Sequence, residues 1–237
     1  MIPIRDDTPR FSTPYVTYFL IGLNTLIFLW EWTMGWQSRP ELNDLIFQFG
    51  LVPRHVTALL SGAHVNPVTA LLPFLTCMFL HGSWLHVIGN MWFLWIFGDN
   101  IEDYLGHFPY LLFYLVSGIA ASMLQVLLSP NSRIPTVGAS GAIAGVMGAY
   151  LILYPRARVL TLVPLIIFFT FWWLPAWIFL GYWFVLEFLS GTATSIAATT
   201  SSAGGIAFWA HVGGFLAGIL LIKLLPQRPH RSRYGAY

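Results

Sequence analysis

The amino-acid sequence predicts an all-α polytopic membrane protein with six transmembrane helices. Hydrophobic residues make up 57% of the 237-residue chain and charged residues only 8%, against roughly 25% charged residues in soluble domains. A soluble domain of this size could not cover its surface with so few charges. A helix needs about 20 apolar residues to cross a bilayer, and the chain holds apolar residues for six crossings. The same composition excludes disordered and nucleic-acid-binding proteins.

Apolar runs separated by polar or proline-containing segments define the predicted helices. They lie at about residues 15–34, 84–97, 108–128, 140–154, 172–189 and 206–225. We expect the second helix to end at the acidic cluster Asp99, Glu102 and Asp103. Pro164 and Pro175 interrupt the long apolar stretch before the fifth helix, because proline breaks the interior of a helix.

The segments outside these helices differ in character. Residues 1–14 form a polar N-terminal segment, and residues 226–237 form a basic tail. Residues 35–72 make a connection long enough to be functional, and we expect short interfacial helices there. Residues 190–205 are small, polar and uncharged, as suits a mobile cover over a site. The single cysteine, Cys77, excludes an internal disulfide and a cysteine zinc cluster.

Lysine and arginine residues predict the orientation of the chain. One side of the predicted membrane receives eight of them: Arg5, Arg10, Arg156, Arg158, Lys223, Arg228, Arg231 and Arg233. The other side receives three: Arg39, Arg54 and Arg133. Because cytoplasmic loops carry an excess of these residues, both termini are predicted in the cytoplasm. No transit peptide is evident, so we expect a multi-pass protein of a bacterial inner membrane.

Three predicted helices carry polar residues at a matched depth near the outer side. His86 and Asn90 are four residues apart and share one face of the second helix. Ser140 begins the fourth helix, and His211 lies near the start of the sixth. Polar side chains are costly in lipid, so each indicates a function. Parallel helices can bring all of them together.

These residue types suit nucleophilic catalysis. A serine hydroxyl becomes a nucleophile when a histidine takes its proton, and Ser140 with His211 supplies both groups. An Asn amide, a His N–H or a backbone N–H can stabilise the oxyanion that forms. Ser140 also lies at a helix N-terminus, where free N–H groups favour an anion. Small residues at four-residue spacing, Gly141/Gly145 and Gly214/Gly218, would let two helices pack closely.

Structural roles fit the same residues when each is taken alone. The Gly138–Gly141 stretch could serve helix packing only, and His211 could be a buried hydrogen-bonding residue. His81 and His86 lack a His-Glu-x-x-His pattern and an acidic neighbour at their depth, so we expect no metal. Glu187 could orient His211 as a triad acid, but structural pairing or a solvated helix end is favoured for it.

Three motifs together resemble the rhomboid family of intramembrane serine proteases. They are His81-x4-His86-x3-Asn90, Gly138-Ala-Ser140-Gly141 and Ala210-His211-x-Gly213-Gly214. The flanking stretches FGDNIEDYLGH and GAIAGVMGAYLILYP are also similar, and the resemblance covers about residues 50–225. It implies a six-helix bundle whose water-filled cavity opens to the outer side.

The resemblance also implies a role for each matched residue. Ser140 would be the nucleophile and His211 its general base, in a dyad that requires no acid. His86, Asn90 and the backbone N–H of Ser140 would form the oxyanion site. His81 and Glu102 match structural positions.

Two departures from the family are visible. The Trp-Arg pair that many members carry in the first loop is not evident, and Ala144 stands where some members have a tyrosine that stacks on the base. Another group must therefore hold His211.

The sequence thus predicts an endopeptidase that cleaves transmembrane segments of other proteins near the outer face, without a cofactor. Helix-destabilising residues should mark its substrates, because a regular helix hides its carbonyl groups in hydrogen bonds. Besides these substrates we expect the lipid bilayer as a partner and no nucleic acid. The rival class is a non-enzymatic protein that uses the same bundle to bind client helices.

Overall fold

The computed structural model describes residues 1–165, 168–197 and 207–225. Its helices are α1 (Tyr15–Gln37), α2 (Arg39–Phe49), α3 (Pro53–Leu60), α4 (Pro67–Leu71), α5 (Pro73–Thr76), α6 (Trp84–Leu105), α7 (His107–Leu128), α8 (Ser140–Leu153), α9 (Ala176–Ala197) and α10 (Phe208–Leu224). Its strands are β1 (Ile2–Asp6), β2 (Arg158–Leu165) and β3 (Phe168–Pro175). The predicted tail 226–237 and residues 198–205 of the predicted loop 190–205 lie outside the described residues, whereas residues 190–197 of that loop are the last turns of α9.

The predicted helical class is confirmed, and most helices agree closely with their predicted bounds. Short helices α2, α3 and α4 occupy the long connection 35–72, as expected. Between α5 and α6 the chain makes a 3₁₀ turn over Cys77–Phe79.

Helix α6 does not end at residue 97 but continues to Leu105. The acidic cluster does not terminate it because Glu102, 0% exposed, has hydrogen-bond donors on α1. Its carboxylate accepts from the backbone N–H groups of Val16 (2.9 Å) and Thr17 (2.8 Å) and from the Thr17 hydroxyl (2.7 Å). The helix ends instead at Gly106, whose φ of 86° is readily adopted only by glycine.

A three-stranded antiparallel sheet, in the order β1-β2-β3, replaces the predicted start of the fifth helix. The predicted helix 172–189 therefore begins later, at Ala176, and extends to Ala197. The residues from Arg158 to Pro175 are rich in aromatic and β-branched types, which favour strands. The two prolines additionally disfavour a helix there. Strand β1 lies in the polar N-terminal segment and joins the sheet through β2.

Helix α8 is the centre of the bundle, with ten consecutive buried residues from Gly141 to Tyr150. Its close contact with α10 depends on glycine. A Cβ on Gly214 would overlap the carbonyl oxygen of Gly141, and a Cβ on Gly218 would overlap that of Gly145. The predicted close packing of these two helices is confirmed.

Two described helices are long and apolar enough to cross a membrane by themselves, His107–Leu128 and Ala176–Ala193. The pair Pro67–Phe79 and Trp84–Leu105, bent by 73°, meets the same criterion together. Helices α8 and α10 are apolar but shorter. The described part of the chain is therefore a membrane bundle, and the predicted count of six spans is not confirmed by it.

Candidate active site

Ser140 lies at the first position of α8, and the preceding glycine determines how the chain reaches it. Gly138 has a φ of 126° and donates its backbone N–H to the carbonyl oxygen of Cys77 at 2.9 Å. A Cβ on Gly138 would lie 2.6 Å from Nε2 of His86, so a larger residue does not fit. The N–H groups of the first helical turn have no acceptor within the helix, and they lie at its positive end.

His211 lies in the first turn of α10, where a buried side chain holds the helix start in place. The backbone N–H of Ala210 donates to Oε1 of Gln125, on α7, at 3.1 Å. Nε2 of His211 then lies 2.7 Å from Oγ of Ser140. The structure thus brings together two residues that are 71 positions apart in the chain, at the end of the bundle that we call the Ser140 end.

Glu187 of α9 lies on the opposite side of the His211 ring. Its Oε2 is 2.7 Å from Nδ1 of His211, and the two side chains are only 16% and 11% exposed. The interpretation of Glu187 as a solvated helix end is therefore wrong. Trp183, one turn earlier on α9, has its ring 5.9 Å from the imidazole. These two residues contact His211 on the α9 side, and the sequence analysis did not identify Trp183.

His86 and Asn90 line the same cavity as Ser140, on α6. Both side chains face Gly138, and neither makes a hydrogen bond to Ser140 or His211 among the described residues. Nδ2 of Asn90 lies 3.0 Å from Nε2 of His81. The backbone N–H of His81 donates to Oε2 of Glu31, on α1, at 3.1 Å. A buried polar chain from α1 thus positions Asn90 beside the cavity.

Of the residues in this series of polar contacts, Glu31 is the one that the sequence analysis did not identify. It is only 2% exposed, on α1. A signal was available, because a lone acidic residue in an apolar run indicates a specific role.

The cavity has a volume of about 550 Å³. Its polar lining residues are Ser83, His86, Asn90, Thr136, Ser140, Glu187 and His211. Hydroxyl, imidazole, amide and carboxylate groups therefore converge there, which suits acid–base and nucleophilic chemistry.

Comparison with known proteins agrees with the predicted family. The family model "Rhomboid domain" matches residues 69–228. Similar proteins include rhomboid protein 1, mitochondrial, of Saccharomyces cerevisiae, 27% identical over 210 residues, which are 86% of this chain and 51% of the relative. Another is rhomboid-like protein 11, chloroplastic, of Arabidopsis thaliana, 27% identical over 164 residues (67% and 54%). A third is presenilin-associated rhomboid-like protein, mitochondrial, of Mus musculus, 30% identical over 190 residues (76% and 45%). The chain spans about half the length of these relatives.

The predicted location is contradicted by this comparison. The sequence analysis predicted a bacterial inner membrane, and the cation count predicted that both termini lie in the cytoplasm. The similar proteins carry mitochondrial or chloroplastic names instead. The count of cations distinguishes the two sides of a membrane but not one kind of membrane from another.

The family itself rests on two independent findings. The matched domain covers more than half of the chain, and the mostly helical bundle is the architecture that the motifs implied. The chain belongs to the rhomboid family.

Proposed function

We propose that the protein is an intramembrane serine endopeptidase in which Ser140 is the nucleophile and His211 the general base. The observation that carries this proposal is the 2.7 Å distance between Oγ of Ser140 and Nε2 of His211, at the wall of a polar cavity. A serine and a histidine that served only to pack helices would need no cavity beside them.

The first half of the reaction forms an acyl-enzyme. Oγ of Ser140 attacks the scissile carbonyl carbon while its proton passes to Nε2 of His211. The carbonyl π electrons move to oxygen, giving a tetrahedral oxyanion. When this intermediate collapses, the C–N bond breaks and His211 returns the proton to the leaving amine.

The second half regenerates the enzyme. A water molecule gives a proton to Nε2 of His211 and adds to the acyl carbon, and the ester bond to Oγ then breaks as Ser140 regains the proton. In both halves, the backbone N–H of Ser140 and the side chains of His86 and Asn90 are our candidates for oxyanion donors. The cavity supplies the water that hydrolysis consumes.

The substrates we propose are transmembrane segments of other proteins, cleaved near the Ser140 end of the bundle. A regular substrate helix keeps its scissile carbonyl in a hydrogen bond, so Gly or Pro near the cut should promote cleavage. The names of the similar proteins support an organellar membrane as the place of the reaction.

A fluorophosphonate probe tests the proposal without a known substrate, because it labels only an activated serine. We expect wild-type protein in detergent to be labelled and the Ser140→Ala variant not to be. Cleavage of a fluorogenic single-span peptide with Gly and Pro in its helix should fall by about 10⁶ in Ser140→Ala.

Ser117→Ala is the matched control for this experiment. Ser117 is buried on α7, and its hydroxyl has no hydrogen-bond partner among the described residues, so labelling and cleavage should persist. Labelling of Ser140→Ala, or residual cleavage above a few per cent, would contradict the proposal and favour a non-enzymatic binding protein.

A further inference from the structure

We infer that Glu187 is a positioning residue that completes a Ser140–His211–Glu187 triad. This inference rests on the proposed function and goes beyond it, because the family resemblance implies a dyad that requires no acid. It concerns the group that holds His211 in place, because Ala144 has no ring that could stack on the imidazole.

The hydrogen-bond geometry shows how Glu187 would select the reactive form of His211. A neutral imidazole carries its proton on one nitrogen and accepts on the other. A carboxylate can only accept, so the 2.7 Å contact with Glu187 requires the proton on Nδ1. Nε2 then carries the lone pair, 2.7 Å from Oγ of Ser140. In this tautomer His211 can take the serine proton.

The charge of Glu187 would act at the next step. When Nε2 takes the proton from Ser140, the imidazole becomes a cation whose Nδ1 faces the carboxylate. Exposures of 16% and 11% mean that water screens this attraction only in part. Among the described residues, the one ion pair of Glu187 is with His211.

Aromatic packing between α9 and α10 keeps the carboxylate in place. Phe184 stacks on Phe215 with ring centroids 4.9 Å apart, and Trp183 contacts both Phe215 and His211 at 5.9 Å. One turn beyond Glu187, a Cβ on Gly191 would lie 3.2 Å from the Trp209 ring. The turns on both sides of Glu187 are thus packed against α10, and this packing preorganises the contact with His211.

The described residues contain a second glutamate–histidine pair, which serves as a comparison because its role is structural. Oε1 of Glu102 lies 2.6 Å from Nδ1 of His107, but at the opposite end of α6 from the cavity. The carboxylate of Glu102 also accepts three hydrogen bonds from Val16 and Thr17. Glu102 therefore ties helices together, whereas the hydrogen bond of Glu187 goes to the proposed base.

The test compares Glu187→Gln with Glu102→Gln in the full-length protein in detergent. The readouts are kcat and KM on the fluorogenic peptide, the rate of fluorophosphonate labelling, and the thermal unfolding midpoint. A glutamine at position 187 has no charge and can present its NH₂ group to Nδ1. We expect kcat and the labelling rate to fall roughly 10²- to 10⁴-fold with KM unchanged. For Glu102→Gln we expect a lower unfolding midpoint and an unchanged kcat of the folded protein.

Conservative replacement adds a second readout. Glu187→Asp keeps the carboxylate but shortens its reach, so its kcat should lie between those of Glu187→Gln and wild type. If Glu187→Gln does not fold, Glu187→Asp decides alone. A kcat lowered at least tenfold with unchanged KM supports the triad, and a wild-type kcat overturns it.

The remaining outcomes separate this inference from the proposed function. A folded Glu187→Gln variant with nearly wild-type kcat overturns the triad and leaves the dyad standing, provided that Ser140→Ala is inactive. Equal losses of kcat in Glu187→Gln and Glu102→Gln also overturn it, because they would act through stability. Labelling of Ser140→Ala refutes the proposed function itself.

Discussion

The side chain of Asn90 is fixed in one orientation by its neighbours, without any bound substrate. It is 8% exposed and lies beside His81, which is 3% exposed and is joined through its backbone to Glu31. An amide fixed in this way can serve as an oxyanion donor without reorganising during the reaction. Because the oxyanion exists only after attack, such a donor contributes mainly to the transition state.

We therefore predict that Asn90→Ala lowers kcat on the fluorogenic peptide while KM stays nearly unchanged. Loss of one oxyanion donor lowers the rate by roughly 10²- to 10³-fold. The loss of kcat should be smaller if His86 and the backbone N–H of Ser140 also stabilise the oxyanion. Steady-state kinetics of purified protein measure this.

Asn24→Ala provides the comparison for this prediction. Asn24 is also buried, on α1, and donates to the carbonyl oxygen of Leu20 at 2.8 Å, so its loss should leave kcat unchanged. An Asn90→Ala variant with raised KM and wild-type kcat would mean that Asn90 contributes to binding or packing rather than to the oxyanion site.

At the scale of elements, the contact between α8 and α10 determines whether Ser140 and His211 meet. The backbones approach so closely that Gly214 and Gly218 have no room for a Cβ against the carbonyl groups of α8. Small residues allow such approach in membranes, where helix association depends on packing rather than on expelling water. The contact between Ser140 and His211 thus depends on the glycine spacing along the first turns of both helices.

Gly218→Ala should consequently destabilise the protein. Its methyl group would overlap the Gly145 carbonyl oxygen, so the helices must move apart. We predict a free energy of unfolding lower by about 1–3 kcal/mol, as is typical of overpacked cores. Denaturation in mixed micelles, followed by circular dichroism, measures the change.

Gly22→Ala on α1 is the control, because no described residue lies within 4 Å of the added methyl group apart from its chain neighbours and its own helical backbone. Alanine also favours a helix over glycine, so this variant should be as stable as wild type or slightly more so. Equal stability of Gly218→Ala and Gly22→Ala would show that α8 and α10 tolerate a wider separation.

At the scale of the whole molecule, the site and the sheet lie at opposite ends of the bundle. Helix α8 runs from Ser140 to Leu153, a rise of about 21 Å, and the sheet follows it. Strand β1 pairs with β2 there, and the Tyr150 hydroxyl donates to the Asp6 carboxylate. Arg5, Arg156 and Arg158 therefore all belong to the sheet end, and the sequence analysis predicts these three residues on the side with eight cations.

This arrangement predicts opposite accessibility for the two ends. Asn131, in the loop before Ser140, and Arg156, between α8 and β2, are both exposed. In sealed vesicles of uniform orientation, an impermeant maleimide should label only one of Asn131→Cys and Arg156→Cys. The other should react after permeabilisation.

Wild-type protein is the control for this labelling, because its single cysteine, Cys77, is buried and should stay unlabelled. Labelling of both cysteine variants before permeabilisation would place the two ends on the same side and contradict the transmembrane arrangement.

The sequence by itself determined the membrane class, the positions of most helices, and Ser140 and His211 as two residues that the helices could bring together. The composition alone predicts a membrane protein, because every charged residue placed in lipid costs free energy and this chain has few of them. The positions of Ser140 and His211 near helix starts, and the glycine spacing that brings α8 to α10, follow from local patterns that one sequence displays.

Only the tertiary structure decided which groups surround His211 and where the sheet forms. The contact of Glu187 with His211 depends on how α9 packs along α10, which no local pattern specifies. Likewise, α6 passes through its acidic cluster only because α1 supplies donors to Glu102. Residues 159–162 of β2 pair with β1, more than 150 residues earlier in the chain. In each case the deciding partner is remote in sequence, and its contribution exists only once the helices and strands have packed.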